Sequence, residues 1–178
     1  MAPMRRLILL RHAKSDWPDG VPDHERPLAK RGRRTAPLMG TYLVKQGLLP
    51  DLALISTARR AIETWELASA ACGRTIAWKE EPRLYDAAAT TLLDIVREAP
   101  RRIGTLLIVG HNPGLEEFAG ILIGKGPEPA LSALHQKFPT AGLAVIDFAV
   151  QDWTEIADGL GELELFQTPK SIGGDTES

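Results

Sequence analysis

"RRLILLRHAKSDW", residues 5–17, is the stretch on which the fold turns. Four consecutive apolar residues, Leu7 to Leu10, run directly into Arg11 and His12. Apolar residues at every position, without alternation, belong to a strand covered on both faces, as central strands of parallel sheets are. A cation and an imidazole at the end of such a strand have two readings. Either the strand surfaces there, or the sheet delivers a charged pair into a site.

Moving outward, strand-like and helix-like segments alternate. Residues 17–27 are dense in Pro, Gly and Asp and read as loop. Residues 28–47 read as a helix stopped by Gly47, with Pro37 either kinking it or marking its true first turn. Residues 52–56 predict a second buried strand, followed by a helix over 57–73 with Gly73 as its cap. An edge strand is expected at 75–79, a helix from about Ala88 to Pro100, and a third buried strand at 105–110. Asn112 and Pro113 read as N-cap and first residue of the next helix. Two late strands are expected at 142–150 and 162–167, the second alternating Glu162, Glu164 against Leu163, Leu165. The pattern predicts an α/β fold: one domain over residues 1–168, with 169–178 as a polar, flexible C-terminal tail.

Ligands of open α/β sheets collect beyond the carboxyl ends of the strands. Three strand exits then become comparable: Arg11–His12, Ser56 with Arg60 one turn on, and His111–Asn112. Two imidazoles and two guanidiniums fall on what should be one edge. Guanidinium forks suit phosphoryl oxygens, and helix N-termini near Ala58 and Pro113 favour an anion. An imidazole can attack phosphorus, and a second can hydrogen-bond the oxygens as charge builds on them.

The bulk properties suit such a site without specifying it. The 178 residues have 44% apolar and 25% charged composition and a net charge of -2, giving no global attraction to nucleic acid or anionic membrane. Cys72 is the single cysteine, so no intrachain disulfide is possible. No apolar run approaches a membrane span, and the run after Arg5 and Arg6 is too short for a signal peptide, so a cytoplasmic location is expected. No Asp-rich cluster suggests a metal, and no cofactor is expected.

These residues resemble the motifs of the histidine phosphatase superfamily. "LRHAKSDW" is similar to its R-H-G signature with Ala13 in the usual Gly place, "STARRAIET" (56–64) to its second block, and "VGHNP" (109–113) to its third. "DHERPLAKRG" (23–32) resembles the segment that opens the first long helix. The resemblance spans roughly residues 5–124, in order and with the right spacing. It implies a three-layer α/β/α, phosphoglycerate mutase-like fold with a mostly parallel central sheet. It also implies a phosphate pocket of Arg11, His12, Arg60 and His111, with His12 as nucleophile and Arg60, not Arg59, as the catalytic guanidinium. The opening and compact size are most similar to the short, SixA-type phosphohistidine phosphatase branch.

Departures from the mutase-like branches sharpen the expectation. Lys14 and Pro18 stand where those branches carry Glu and Asn, and the nearest counterpart of their general acid is Asp86. A phosphoester needs its leaving alkoxide protonated, whereas the imidazole leaving a phosphohistidine can take its proton from solvent. The short loops imply an open pocket able to admit a phosphorylated side chain. The expected activity is therefore a metal-independent phosphatase acting on protein phosphohistidine through His12. The alternatives are a phosphatase of small phosphomonoesters or nucleotides, and a non-catalytic phosphate-binding module. Ser15 is a candidate phosphate contact. Arg26 and Lys14 read as solvated rim charges, His24 and His135 as incidental loop histidines, and the four tryptophans as packing residues. Neither the physiological substrate nor the oligomeric state follows from the sequence.

Overall fold

The structure, a computed structural model, describes residues 4–173, so the end of the expected tail, 174–178, lies outside the described residues. The strands are β1 (Arg5–Arg11), β2 (Leu52–Ile55), β3 (Trp78–Glu80), β4 (Thr105–Gly110), β5 (Ile123–Lys125), β6 (Leu143–Phe148) and β7 (Gly161–Gln167). The helices are α1 (Lys30–Lys45), α2 (Arg59–Cys72), α3 (Ala89–Arg97), α4 (Gly114–Leu122) and α5 (Glu128–Gln136). Among the described residues the strands form one sheet in the order β3-β2-β4-β1-β6-β7-β5. β1 to β4 run parallel, β6 is antiparallel to both β1 and β7, and β5 runs parallel with β7.

The uninterrupted apolar run of β1 now has its cause. Leu7 and Leu9 point into a core shared with Leu92 and Val96 of α3, Phe118 of α4 and Leu134 of α5. Ile8 and Leu10 point into the opposite core, with Met39 and Leu43 of α1 and Ala61 and Trp65 of α2. Two faces, each roofed by helices, make the three-layer α/β/α sandwich, and a strand in its middle must be apolar on both sides.

Register sets where the sheet ends. Arg11 lies opposite Gly110, and Ile55 opposite Val109, so β1, β4 and β2 terminate level with one another. The next residues, His12, His111 and Ser56, must then emerge side by side. Two backbone clamps hold the first exit in place: Ala141 N–H is shared between the carbonyls of Arg11 and His12, and Ala29 N–H donates to the carbonyl of Lys14.

Several expectations need correcting. Of the two readings of Pro37, a first-turn position is excluded, because it sits inside α1. The Asn112–Pro113 peptide is cis, and α4 begins only at Gly114. Asn112 still serves the helix, its Oδ1 accepting from Glu116 N–H while its Nδ2 donates to the Phe138 carbonyl. β5 and α5 were not anticipated: their segment carries Gly124, Gly126, Pro127 and Pro129, a punctuation that reads as loop, and α5 fully buries only Leu134. Of the expected tail, residues 169–173 turn back on the domain, with Ile172 against the α1–α2 core.

Gly32 at the start of α1 shows how tightly the first exit is packed. A Cβ there would stand 2.1 Å from the Lys14 carbonyl oxygen, whereas at Gly120 in α4 a Cβ meets nothing within 4 Å. Gly32→Ala is expected to cost about 1–3 kcal/mol, the usual penalty of overpacking, and Gly120→Ala to stabilise by a few tenths of a kcal/mol or more. Urea unfolding midpoints of the two variants check the contrast.

Candidate active site

His12 is 6% exposed, and its Nδ1 lies 2.8 Å from the carbonyl oxygen of Ala13. A carbonyl oxygen can only accept, so Nδ1 carries the proton and Nε2 is left with a free lone pair. This is the acceptor that sequence alone could not name. Burial pushes the imidazole down to about 3, with the charges of Arg60 and Arg11 adding to the effect. The ring is therefore neutral at physiological pH, in the tautomer a nucleophile requires.

His111 stands beside it, with ring centroids 5.2 Å apart. Its Nε2 is 2.7 Å from Ser56 Oγ, and its Nδ1 faces Arg60 Nη2 at 3.5 Å. A guanidinium has no acceptor, so Nδ1 presents its lone pair to Arg60 and Nε2–H donates to Ser56. Burial, then the charge of Arg60, pushes His111 down to about 4.

Arg60 is 4% exposed. Its Nη1 donates to the Asp23 carbonyl at 2.7 Å and its Nη2 to Asp23 Oδ2 at 3.1 Å. Arg59 is exposed and paired along the helix with Glu63, so Arg60 is the guanidinium facing the histidines. Arg11 Nη1 donates to the carbonyl of Phe138, while the Nε atoms of both Arg11 and Arg60 are buried without a partner among the described residues. Thr64 joins the two motifs: its Oγ1 accepts from Ala13 N–H and donates to the Arg60 carbonyl, one turn back on α2.

The loop between β1 and α1 is strapped over this group. Asp23 receives Arg60, Arg26 Nη1 and the hydroxyl of Tyr85 on its carboxylate, which holds it well below the usual carboxylate range. Arg26, expected as a solvated rim charge, is instead 6% exposed: it bonds Asp23, the Asp16 carbonyl and Ser15 Oγ, and its guanidinium lies 3.2 Å above the Trp17 ring. Ser15 is thus placed as a brace for Arg26. Trp17 is 72% exposed and Trp78 46%, so only Trp65 and Trp153 are core tryptophans. His24, expected to be incidental, bonds Thr57 Oγ1 at 2.8 Å and packs edge-on against Tyr85, which in turn packs against His111. Lys14 is exposed, as read, and His135 falls in α5.

Asp86 follows Tyr85 in the left-handed region at φ +52°. It is exposed and lines a cavity of about 290 Å³ shared with His111, Asn112, Gly114 and Glu117. The structure therefore brings Arg11, His12, Arg60 and His111 to one sheet edge and sets Asp86 in an adjoining cavity that shares His111. Among the described residues no group of three His, Cys, Asp or Glu side chains is arranged to hold a metal.

The model of the histidine phosphatase superfamily (branch 1) matches residues 7–94. Two solved structures, candidate phosphohistidine phosphatases SixA, extend that match over the whole domain. The one from Nakamurella multipartitia is 30% identical with a TM-score of 0.79, covering 94% of this chain and 98% of its own. The one from Agrobacterium tumefaciens is 31% identical with a TM-score of 0.78, covering 95% and 100%. This chain belongs to the histidine phosphatase superfamily. An uncharacterized Mycobacterium tuberculosis protein, Rv1276c, is 38% identical over 163 residues, 90% of this chain and 100% of its own. The fold is the one shared with phosphoglycerate mutases, as in the Plasmodium falciparum enzyme.

Asp23, Tyr85 and Thr64 were not singled out from the sequence as members of the candidate site, and Ser56 was named only as a strand exit. Ser56 and Thr64 open and close the "STARRAIET" block, and Asp23 opens "DHERPL", so each had a motif to mark it. Tyr85 had none.

Two neutral, buried histidines make stability depend on pH. Both folded values lie below the ordinary 6.5, so from pH 6.5 down to about 4 the unfolded chain takes up protons that the folded chain does not. Stability therefore falls on acidification through this window, by roughly 2 kcal/mol per histidine between pH 7 and pH 5. His12→Gln should lose about 2 kcal/mol less than wild type over that interval, read from urea melts at the two pH values.

Proposed function

We propose that this protein is a metal-independent phosphatase that removes phosphate from protein phosphohistidine through a covalent intermediate on His12. The observation that carries the reading is the hydrogen bond from His12 Nδ1 to the Ala13 carbonyl, which leaves Nε2 free to attack. The SixA likeness of its relatives supports the substrate class.

His12 Nε2 attacks phosphorus. A new N–P bond forms, the bond to the leaving group breaks, and the departing imidazole nitrogen takes a proton from solvent. Arg11 and Arg60 hold the non-bridging oxygens and offset the charge that gathers on them. Once the dianion is bound, a proton from solvent joins His111 Nδ1, which then donates to the same oxygens while Ser56 keeps the ring oriented. Water next attacks the phosphohistidine, the His12–phosphorus bond breaks, and inorganic phosphate leaves with His12 returned to its neutral tautomer. The positive charge at the site comes from guanidiniums, so activity should survive chelation.

Asp86 serves as proton donor only where the leaving group needs one. It lies on the cavity wall next to His111, and its exposure leaves it in exchange with solvent. The protein works in the cytoplasm on this reading, where Cys72 stays reduced as a buried packing residue donating weakly to the Gly40 carbonyl.

A histidine-phosphorylated protein and a panel of phosphomonoesters and nucleotides, each incubated with wild type and with His12→Ala, test the proposal. Expected are turnover of the phosphohistidine protein, no loss in chelator, an acid-labile phosphate trapped on wild type, and at least a 10³-fold loss in His12→Ala, in line with removal of a covalent nucleophile. Fast ester hydrolysis with no action on phosphohistidine would reassign the substrate, and binding without turnover would make this a phosphate-binding module. Asp86→Asn should slow ester hydrolysis by about 10²-fold or more, the size of a general-acid contribution, and leave phosphohistidine hydrolysis nearly unchanged. Equal losses on both substrates would assign Asp86 a structural role.

A further inference from the structure

A second cavity, about 320 Å³, lies at the same edge of the sheet on the far side of β1 from Asp86. Among the described residues it is lined by Arg31, Lys137 and Lys170 with Thr35, Thr140 and Thr168, and by no carboxylate. Lys137 and Lys170 bring two ammonium groups to one cleft on a chain whose net charge is -2.

Sheet register places this cleft relative to the nucleophile. Leu10 of β1 pairs with Leu143 of β6, and Leu143 pairs with Gln167 of β7. Thr168 and Lys170 therefore leave the sheet at the edge where Arg11 and His12 leave it, two strands across. At about 4.8 Å per strand that is roughly 10 Å. The other walls are continuous with the site's own supports. Lys137, Pro139 and Thr140 flank Phe138, whose carbonyl holds Arg11, and precede Ala141, whose N–H clamps the carbonyls of Arg11 and His12. Arg31 adjoins Gly32, which packs against the Lys14 carbonyl.

The two clefts at this sheet edge thus differ in charge. Asp86 and Glu117 line the one on the β4–α4 side, and Lys137 and Lys170 the one on the β6–β7 side. We infer that the cationic cleft is a docking subsite for carboxylates on the surface of the phosphoprotein substrate, about 10 Å from the phosphorylated side chain. The inference rests on the proposed phosphohistidine phosphatase activity and adds to it a determinant of protein substrate choice. Threonine hydroxyls beside lysine ammonium groups supply donors for carboxylate oxygens, and a cleft open to solvent can accept side chains from a folded partner. The same polarity keeps carboxylates away from the Asp86 side, so it fixes the orientation in which the partner lands.

The test compares wild type with the double variant Lys137→Glu/Lys170→Glu on three substrates. These are a histidine-phosphorylated protein with carboxylates about 10 Å from the phosphoryl group, the same protein with those carboxylates changed to amides, and free phosphohistidine. The double variant should raise KM for the acidic protein about ten-fold or more, consistent with reversing two contacts at a charged interface. It should leave kcat for that substrate, and kcat/KM for free phosphohistidine, unchanged. The amide version should respond little, and wild-type KM on the acidic protein should rise with salt while that of the double variant stays flat or falls. Equal effects on the protein and on free phosphohistidine, or none on either, would overturn the cleft's role while leaving the phosphatase intact. A wild type inactive on both phosphohistidine substrates would instead overturn the activity on which the inference depends.

Discussion

The parallel pairing of β1 with β4, with Arg11 opposite Gly110, governs everything at the functional edge. A slip of one residue in that register would turn the alternating leucines of β1 toward the wrong cores and move His12 away from His111. The two helical layers guard against such a slip, because Leu7 and Leu9 fill one core while Ile8 and Leu10 fill the other. Burying these side chains contributes stability, and it also locates the nucleophile. β6 adds a second ladder on the other side of β1, so the strand that ends in His12 is held along both flanks.

A strand end held this firmly can carry an electrostatic arrangement that a mobile loop could not. Two guanidiniums and two imidazoles share a small volume, and the imidazoles remain neutral because burial and the neighbouring cations both disfavour a further positive charge. Asp23 supplies the balancing negative charge, gathering Arg60, Arg26 and Tyr85 on one carboxylate. Its attachment to Arg60 fixes the guanidinium plane before any phosphate arrives, so the ligand meets donors already aligned and less ordering accompanies binding.

How much of this could be read from residues alone follows from the physics of each feature. The apolar run of β1, the three level strand exits and the placing of Arg11, His12, Arg60 and His111 at one sheet edge were legible, because buried strands and residues at their ends leave local signatures. Arg60 over Arg59 came from the motif, and the structure accords with it by burying the first and exposing the second. Arg26 was misread because a guanidinium in a Pro- and Asp-rich loop looks solvated. Only the folded loop brings Asp23, Ser15 and Trp17 around it. Tyr85 reaches Asp23 across 62 residues, and no spacing rule reports a contact of that range. α5 was missed for a different reason: its Pro and Gly neighbours outweigh a weak amphipathic pattern, and its packing depends on β7, which arrives later in the chain.

The same reasoning explains why the pocket is rigid. Rigidity comes from below, through β1, β4 and the Thr64 bridge between Ala13 and Arg60, and from the Asp23 loop strapped over the pocket. The two clefts at the same edge differ in charge, one lined by Asp86 and Glu117 and the other by Lys137 and Lys170. On the proposed phosphohistidine activity, such a difference would discriminate by the charge pattern of a partner's surface.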